Sequence, residues 1–133
     1  MNNTKIQTMN ENELSYLIRG AIYKVYNNLG PGLLESVYEF ALAFELRKAG
    51  LKIECQRPFP VVYEGNVLET GFRLDIIVEN KVILEIKSVD ELADIHHKQL
   101  LTYLKITGVK LGLLINFNSA DINKSIVRIV NNL

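Results

Sequence analysis

From Glu13 onward the apolar positions Leu14, Leu17, Ile18, Ala21, Ile22, Val25 and Leu29 recur every three or four residues, the stripe of a helix that packs on a core. Gly30-Pro31-Gly32 ends that run, because glycine accommodates the left-handed backbone of a helix C-terminus and proline cannot continue the ladder. A second periodic run extends from Leu33 to Lys48 and is closed by Gly50. From Leu51 the period changes. Val, Ile, Tyr and Phe alternate or cluster, punctuated by Pro58, Pro60 and Glu64-Gly65-Asn66, which predicts strands near 52–57, 60–64, 67–78 and 81–88. Glu79-Asn80 would form a tight turn between the last two. Helical spacing returns over 91–106 through Leu92, Ile95, Leu100, Leu101 and Leu104, with Ser88 and Glu91 offering a capping box and Gly108 a stop. The run Leu111-Gly112-Leu113-Leu114-Ile115 suits a buried central strand. The tail over 121–132 fits a helix through Ile122, Ile126, Ile129 and Val130, and fits an edge strand equally through its β-branched pairs. Residues 1 to about 10 are polar, without periodicity, and read as a flexible start.

This order, two helices, a meander, a helix, a strand and a short tail, predicts a mixed α/β fold: helices covering a largely antiparallel sheet that gains one strand after the crossover helix. The length of 133 residues predicts one domain spanning 1–133, and with 48% apolar residues it can bury a core without staples. Fifteen Lys plus Arg balance fifteen Asp plus Glu, and the halves on either side of Asn66 are balanced too. That argues against a strongly basic nucleic-acid glove or a polybasic membrane binder. The single cysteine, Cys55, cannot form an internal disulfide and reads as an inert thiol, so a reducing cytoplasm fits best. Neither a signal-peptide pattern nor a membrane span is evident in the sequence.

The informative charges lie inside apolar strands. In Gly71-Phe72-Arg73-Leu74-Asp75-Ile76-Ile77-Val78 and Val82-Ile83-Leu84-Glu85-Ile86-Lys87, strand alternation puts Glu85 and Lys87 on one side, and a hairpin can bring Asp75 beside them. Buried carboxylates are costly unless paired or bound to a cation. Two acids and one lysine leave a net negative cluster, the composition of a magnesium site with hard oxygen ligands. A plain cross-strand ion pair, or charges decorating an exposed face, explains the hairpin alone equally well. Two helices add to the case. Glu35 and Tyr38 lie one turn apart on one helix, and Gln99 and Tyr103 are spaced i and i+4 on another. A solvated first-turn Glu35 and core tyrosines are the competing readings. His96 and His97 diverge by about 100° on a helix, so both cannot easily bind one ion.

Gly32-x-x-Glu35-x-x-Tyr38, followed by Asp75 and Glu85-Ile86-Lys87, resembles the GxxExxY proteins of the PD-(D/E)xK nuclease superfamily. The likeness runs from about Glu13 to Val130 and takes in Gly30-Pro31-Gly32-Leu33-Leu34-Glu35, the stretch from Gln99 to Tyr103, and Gly112-Leu113-Leu114-Ile115-Asn116-Phe117. The resemblance implies a restriction-endonuclease-like core, with Mg2+ or Mn2+ held by Asp75, Glu85 and the backbone carbonyl of Ile86. Glu35 would complete the acidic cluster directly or through water, Lys87 would orient or help deprotonate the attacking water, and Gln99 would support the site. Leu74 stands where the superfamily pattern has proline, a position that supplies shape and no ligand.

The implied activity is a metal-dependent phosphodiester hydrolase acting on nucleic acid, with DNA the leading substrate. Tyr38, Arg73, His96, Lys98 and Tyr103 are candidate substrate contacts, and Lys52, Arg57 and Lys105 are further candidate cations. The neutral total charge predicts weak intrinsic affinity, helped by a homo-oligomer or a protein partner. Two alternatives stay open at this point: a catalytically silent nucleic-acid- or protein-binding module that keeps the fold, and a small-molecule phosphoesterase, which needs a closed pocket. Fold kinship by itself does not decide among them.

Overall fold

The computed structural model describes residues 3–133, with the side chains of 3, 4, 69 and 70 outside the description. Four helices, α1 (Asn3–Gln7), α2 (Glu11–Leu29), α3 (Glu35–Lys48) and α4 (Asp94–Thr107), flank one sheet. Its strands are β1 (Ile53–Tyr63), β2 (Asn66–Val78), β3 (Val82–Lys87), β4 (Leu111–Asn116) and β5 (Ile126–Val130), and they lie side by side in chain order. Only the β3–β4 pair is parallel, which requires the α4 crossover; every other neighbouring pair is antiparallel.

Two cores result, one on each sheet face. Leu14, Ile18, Ile22 and Val25 of α2 and Tyr38, Leu42 and Leu46 of α3 pack against Ile76, Val78, Leu84, Ile86, Leu113 and Ile115. On the opposite face Leu100 and Leu104 of α4 pack against Leu74, Ile77, Ile83 and Leu114. Strands β3 and β4 are covered on both sides, so burial is continuous along them, as expected for central strands, and in β3 it takes in Glu85. The layers are therefore α2/α3, sheet, α4.

Several expectations are corrected in detail. The first two expected strands are one, because Pro58 and Pro60 sit in edge strand β1, where a missing N–H is tolerated; a register shift lies between Phe59 and Val61. The Glu79-Asn80 turn forms, with left-handed φ of 51° and 55°. The ambiguous tail is a short 3₁₀ turn (Ile122–Ser125) followed by edge strand β5. The start is not without structure: α1 forms, and Ile6 and Met9 are buried against the α2/α3 core. Residues 1–2 of that expected flexible start lie outside the described residues.

Candidate active site at the open end of the hairpin

Pairing between β2 and β3 runs from Val78↔Val82 to Ile76↔Leu84 and stops there. Beyond that point β3 continues beside β4 alone, through Glu85↔Leu114, Ile86↔Ile115 and Lys87↔Asn116. The Phe117 N–H donates to the Lys87 carbonyl, so strand alternation turns the backbone groups of Ile86 the other way, into the gap that β2 has left. The Asp75 carboxylate fills that gap: its Oδ2 accepts from the Ile86 N–H at 2.8 Å. A side chain thus takes the place of a ladder bond where the two strands part.

Glu85 is 5% exposed, and its Oε1 has no hydrogen-bond partner among the described residues. Burial first, then the charge and proton-sharing of the neighbouring Asp75, push its carboxyl up to about 9; Lys87 opposes the shift. Two carboxylates therefore sit together where one must stay protonated unless a cation joins them. The phenol of Tyr103 is pushed up as well, by burial and then by Glu85 and Asp75, which puts α4 within the field of the same pair.

Glu35 reaches the site from the loop that starts α3. Gly32 has φ of 98°, which only glycine adopts readily, and no neighbour would obstruct a Cβ there, so the backbone conformation is what requires glycine. Glu35 Oε2 accepts from the Ser88 N–H at 3.0 Å, and Ser88 Oγ donates to the Leu33 carbonyl at 2.6 Å. These bonds dock the loop on the end of β3. The expected capping box at Ser88 and Glu91 is not made, because Ser88 is committed to that loop and α4 begins at Asp94 behind Ala93, whose N–H donates to His96 Nδ1 at 3.0 Å. The next turn of β3 is held by buried Asn116, which accepts from the Val89 N–H and donates to the Val89 carbonyl.

A family model for the PD-(D/E)XK nuclease superfamily matches residues 12–129. The chain belongs to that superfamily. No curated protein and no solved structure gives a match. The membership covers the whole α2-to-β5 frame, and it agrees with the mixed, mostly antiparallel sheet flanked by helices. Leu74, next to Asp75, is fully buried against Leu100 and Leu104 of α4.

Against this geometry the sequence expectations divide. Asp75, Glu85, the Ile86 backbone and Lys87 come together at the open end of the hairpin, and Glu35 lines one cleft of about 310 Å³ with Asp75 and Ile86. Among the described residues no group of three or more carboxylate, imidazole or thiolate side chains could hold one ion, so the expected acidic trio is corrected to a pair, with Glu35 turned to Ser88. The pair still fits a divalent cation, because an unpartnered buried carboxylate oxygen beside a second carboxylate is what a hard ion satisfies.

Tyr38 is corrected as a substrate contact: it is 0% exposed and stacks on Phe117 at 4.5 Å. Its hydroxyl donates to the Gly30 carbonyl at 2.5 Å and accepts from the Leu33 N–H at 3.1 Å, bracing the loop that carries Glu35. His96, Gln99 and Tyr103 follow one flank of α4; His96 and Tyr103 are half-buried and Gln99 is exposed, with no hydrogen bond to the acid pair among the described residues. Arg73 and Lys98 are exposed. Arg57 pairs with Glu54 at 3.7 Å and donates to Asn80 Oδ1 at 3.0 Å, which turns it toward the hairpin turn.

Two site residues escaped the sequence reading. Glu39 lies one turn beyond Glu35 and lines the same cleft, and Gln56 of β1 donates through Nε2 to Glu39 Oε1 at 2.6 Å. Burial pushes the Glu39 carboxyl up, the Gln56 amide opposes this, and Asp75 adds to it. Glu39 was legible as a fourth helix position after Glu35, whereas Gln56 had no local signal. No helix among the described residues is long and apolar enough to cross a membrane.

Proposed function

We propose that this chain is a metal-dependent phosphodiester hydrolase of the GxxExxY group, acting on DNA. The observation that carries the reading is the Asp75–Glu85 pair at the end of the β2–β3 ladder, with one Glu85 oxygen buried and unpartnered and Lys87 beside it. Asp75, Glu85 and the Ile86 carbonyl would hold Mg2+ or Mn2+, with Glu35 contributing through water from the cleft wall. The bound ion supplies positive charge against the negative charge that develops on the phosphate and eases loss of a proton from water.

The chain's own groups do the rest. The Lys87 ammonium orients the attacking water and adds a second positive charge next to the scissile phosphate. Glu85 gives up its proton when the site is loaded, since its raised pKa belongs to the pair without a cation. Water would attack phosphorus and release a proton to solvent, the P–O bond to the leaving nucleotide would break, and that oxygen would take a proton from solvent. Arg73, Lys98, His96 and Tyr103 are the proposed contacts to the substrate, with Gln99 supporting them from α4. With a net charge of zero these contacts are few, so binding is weak and salt-sensitive, and an oligomer or a partner raises it.

Cleavage assays on single-stranded, duplex and branched DNA with Mg2+ or Mn2+, run beside a chelated control, test the activity. Metal-dependent product that disappears in Lys87→Ala supports it. Absence of cleavage on all three, with DNA still bound, would replace it by the binding-module reading.

A further inference from the structure

Gln56 sits inside β1 with φ of 53°, a left-handed conformation that strains a non-glycine residue. The register is unbroken around it, Cys55 facing Ile76 and Arg57 facing Leu74, so Gln56 stands opposite Asp75. The ribbon turns over at this step: Cys55 and Ile76 belong to the α2/α3 core, whereas Phe72 and Leu74 pack with α4. Glycine would make that turn without strain. Glutamine brings a side chain that glycine lacks, and its Nε2 lies 2.6 Å from Glu39 Oε1 and 3.4 Å from Asp75 Oδ1. Both neighbours are carboxylates, which accept only, so the amide nitrogen must face them.

We propose that Gln56 is the positioning residue of the Asp75 carboxylate: tied to Glu39, its amide restrains Oδ1 while the Ile86 N–H holds Oδ2, so the strained backbone at Gln56 serves to set the plane of that carboxylate beside Glu85. The proposal rests on Asp75 being a site residue. It gives Glu39 a role too, as the anchor that keeps the amide from swinging into solvent. Outer partners of this kind orient ligands, and losing one typically weakens metal affinity by about 10–100-fold.

The test uses Gln56→Gly, which keeps the left-handed turn and deletes the amide. Three quantities are read on the full chain: thermal midpoint, hydrogen exchange at the Ile86 amide without metal, and Mn2+ affinity by calorimetry. The expected result is a midpoint no lower than wild type, lost protection at Ile86 while β4 amides keep theirs, and Mn2+ binding weakened roughly tenfold. Gln56→Asn, which also tolerates the backbone but reaches one methylene less far, should behave alike. Wild-type exchange at Ile86 together with wild-type Mn2+ affinity in both variants would overturn the proposal. If wild type binds no Mn2+ yet the variants lose Ile86 protection, the positioning role stands and the metal reading falls.

Discussion

The two ends of the β2–β3 hairpin are built from adjacent residues and behave oppositely. At the turn end Val78 pairs with Val82 and Ile77 with Ile83, every ladder position is occupied, and the side chains are buried in one core or the other. At the far end the ladder stops, Asp75 substitutes for a backbone partner of Ile86, and a buried Glu85 oxygen is left without one. A complete ladder leaves only hydrophobic burial to be satisfied. An opened one sets backbone and carboxylate groups against each other, and the buried Glu85 oxygen among them gains most from a cationic partner. The closed end holds the strands together, and the open end is where the proposed chemistry would take place.

The comparison breaks most visibly under substitution at the open end. Lys87→Ala should lower turnover by about 10²–10³-fold while leaving metal binding, since it removes one positive group from the developing charge. Asp75→Asn should lose both, as measured by cleavage rate and by metal titration. The closed end should respond in the other currency: Ile83→Ala leaves a cavity in a fully buried position and should cost about 2–5 kcal/mol in denaturant unfolding, with metal affinity of the folded protein unchanged.

A pH series sharpens the contrast. The folded value of Glu85, about 9, lies above its ordinary 4.5, so the folded protein holds this proton more tightly than the unfolded chain. Its stabilisation is complete below about pH 4.5 and is lost as pH rises toward 9. Without metal, stability should fall by up to about 1.4 kcal/mol per pH unit inside that window from this one group, and Glu85→Gln should flatten that component of the slope. The smallest effect is expected at the loop brace. Tyr38→Phe removes the hydroxyl from between Gly30 and Leu33 and should cost about 1 kcal/mol, with a modest loss of activity through Glu35.

The strands, the helices and the charged hairpin were legible because each rests on a local period: alternation in β2 and β3, a stripe in α2, glycines at the stops. Asp75, Glu85 and Lys87 stood out because acids and a lysine interrupt apolar strands. What local pattern could not settle was competition for a side chain. Ser88 fits a capping box with Glu91, yet a distant loop claims it through Leu33 and Glu35. Tyr38 is one turn from Glu35, but three residues of helix also rotate it toward Phe117 and the core. Gln56 depends on a left-handed step at a residue type that does not advertise one, and on a contact seventeen positions away with Glu39. Ile6 and Met9 are too few to show a period, although both are buried.

The central claim is that the carboxylate pair at the open end accepts one divalent cation. Calorimetric titration of Mn2+ at about pH 7.5, in two buffers of different ionisation enthalpy, reads affinity and proton release together. The account predicts one site in wild type with close to one proton released, as Glu85 deprotonates on loading, and no such site in Asp75→Asn. Equal affinity in the two proteins, or binding without proton release, would contradict it.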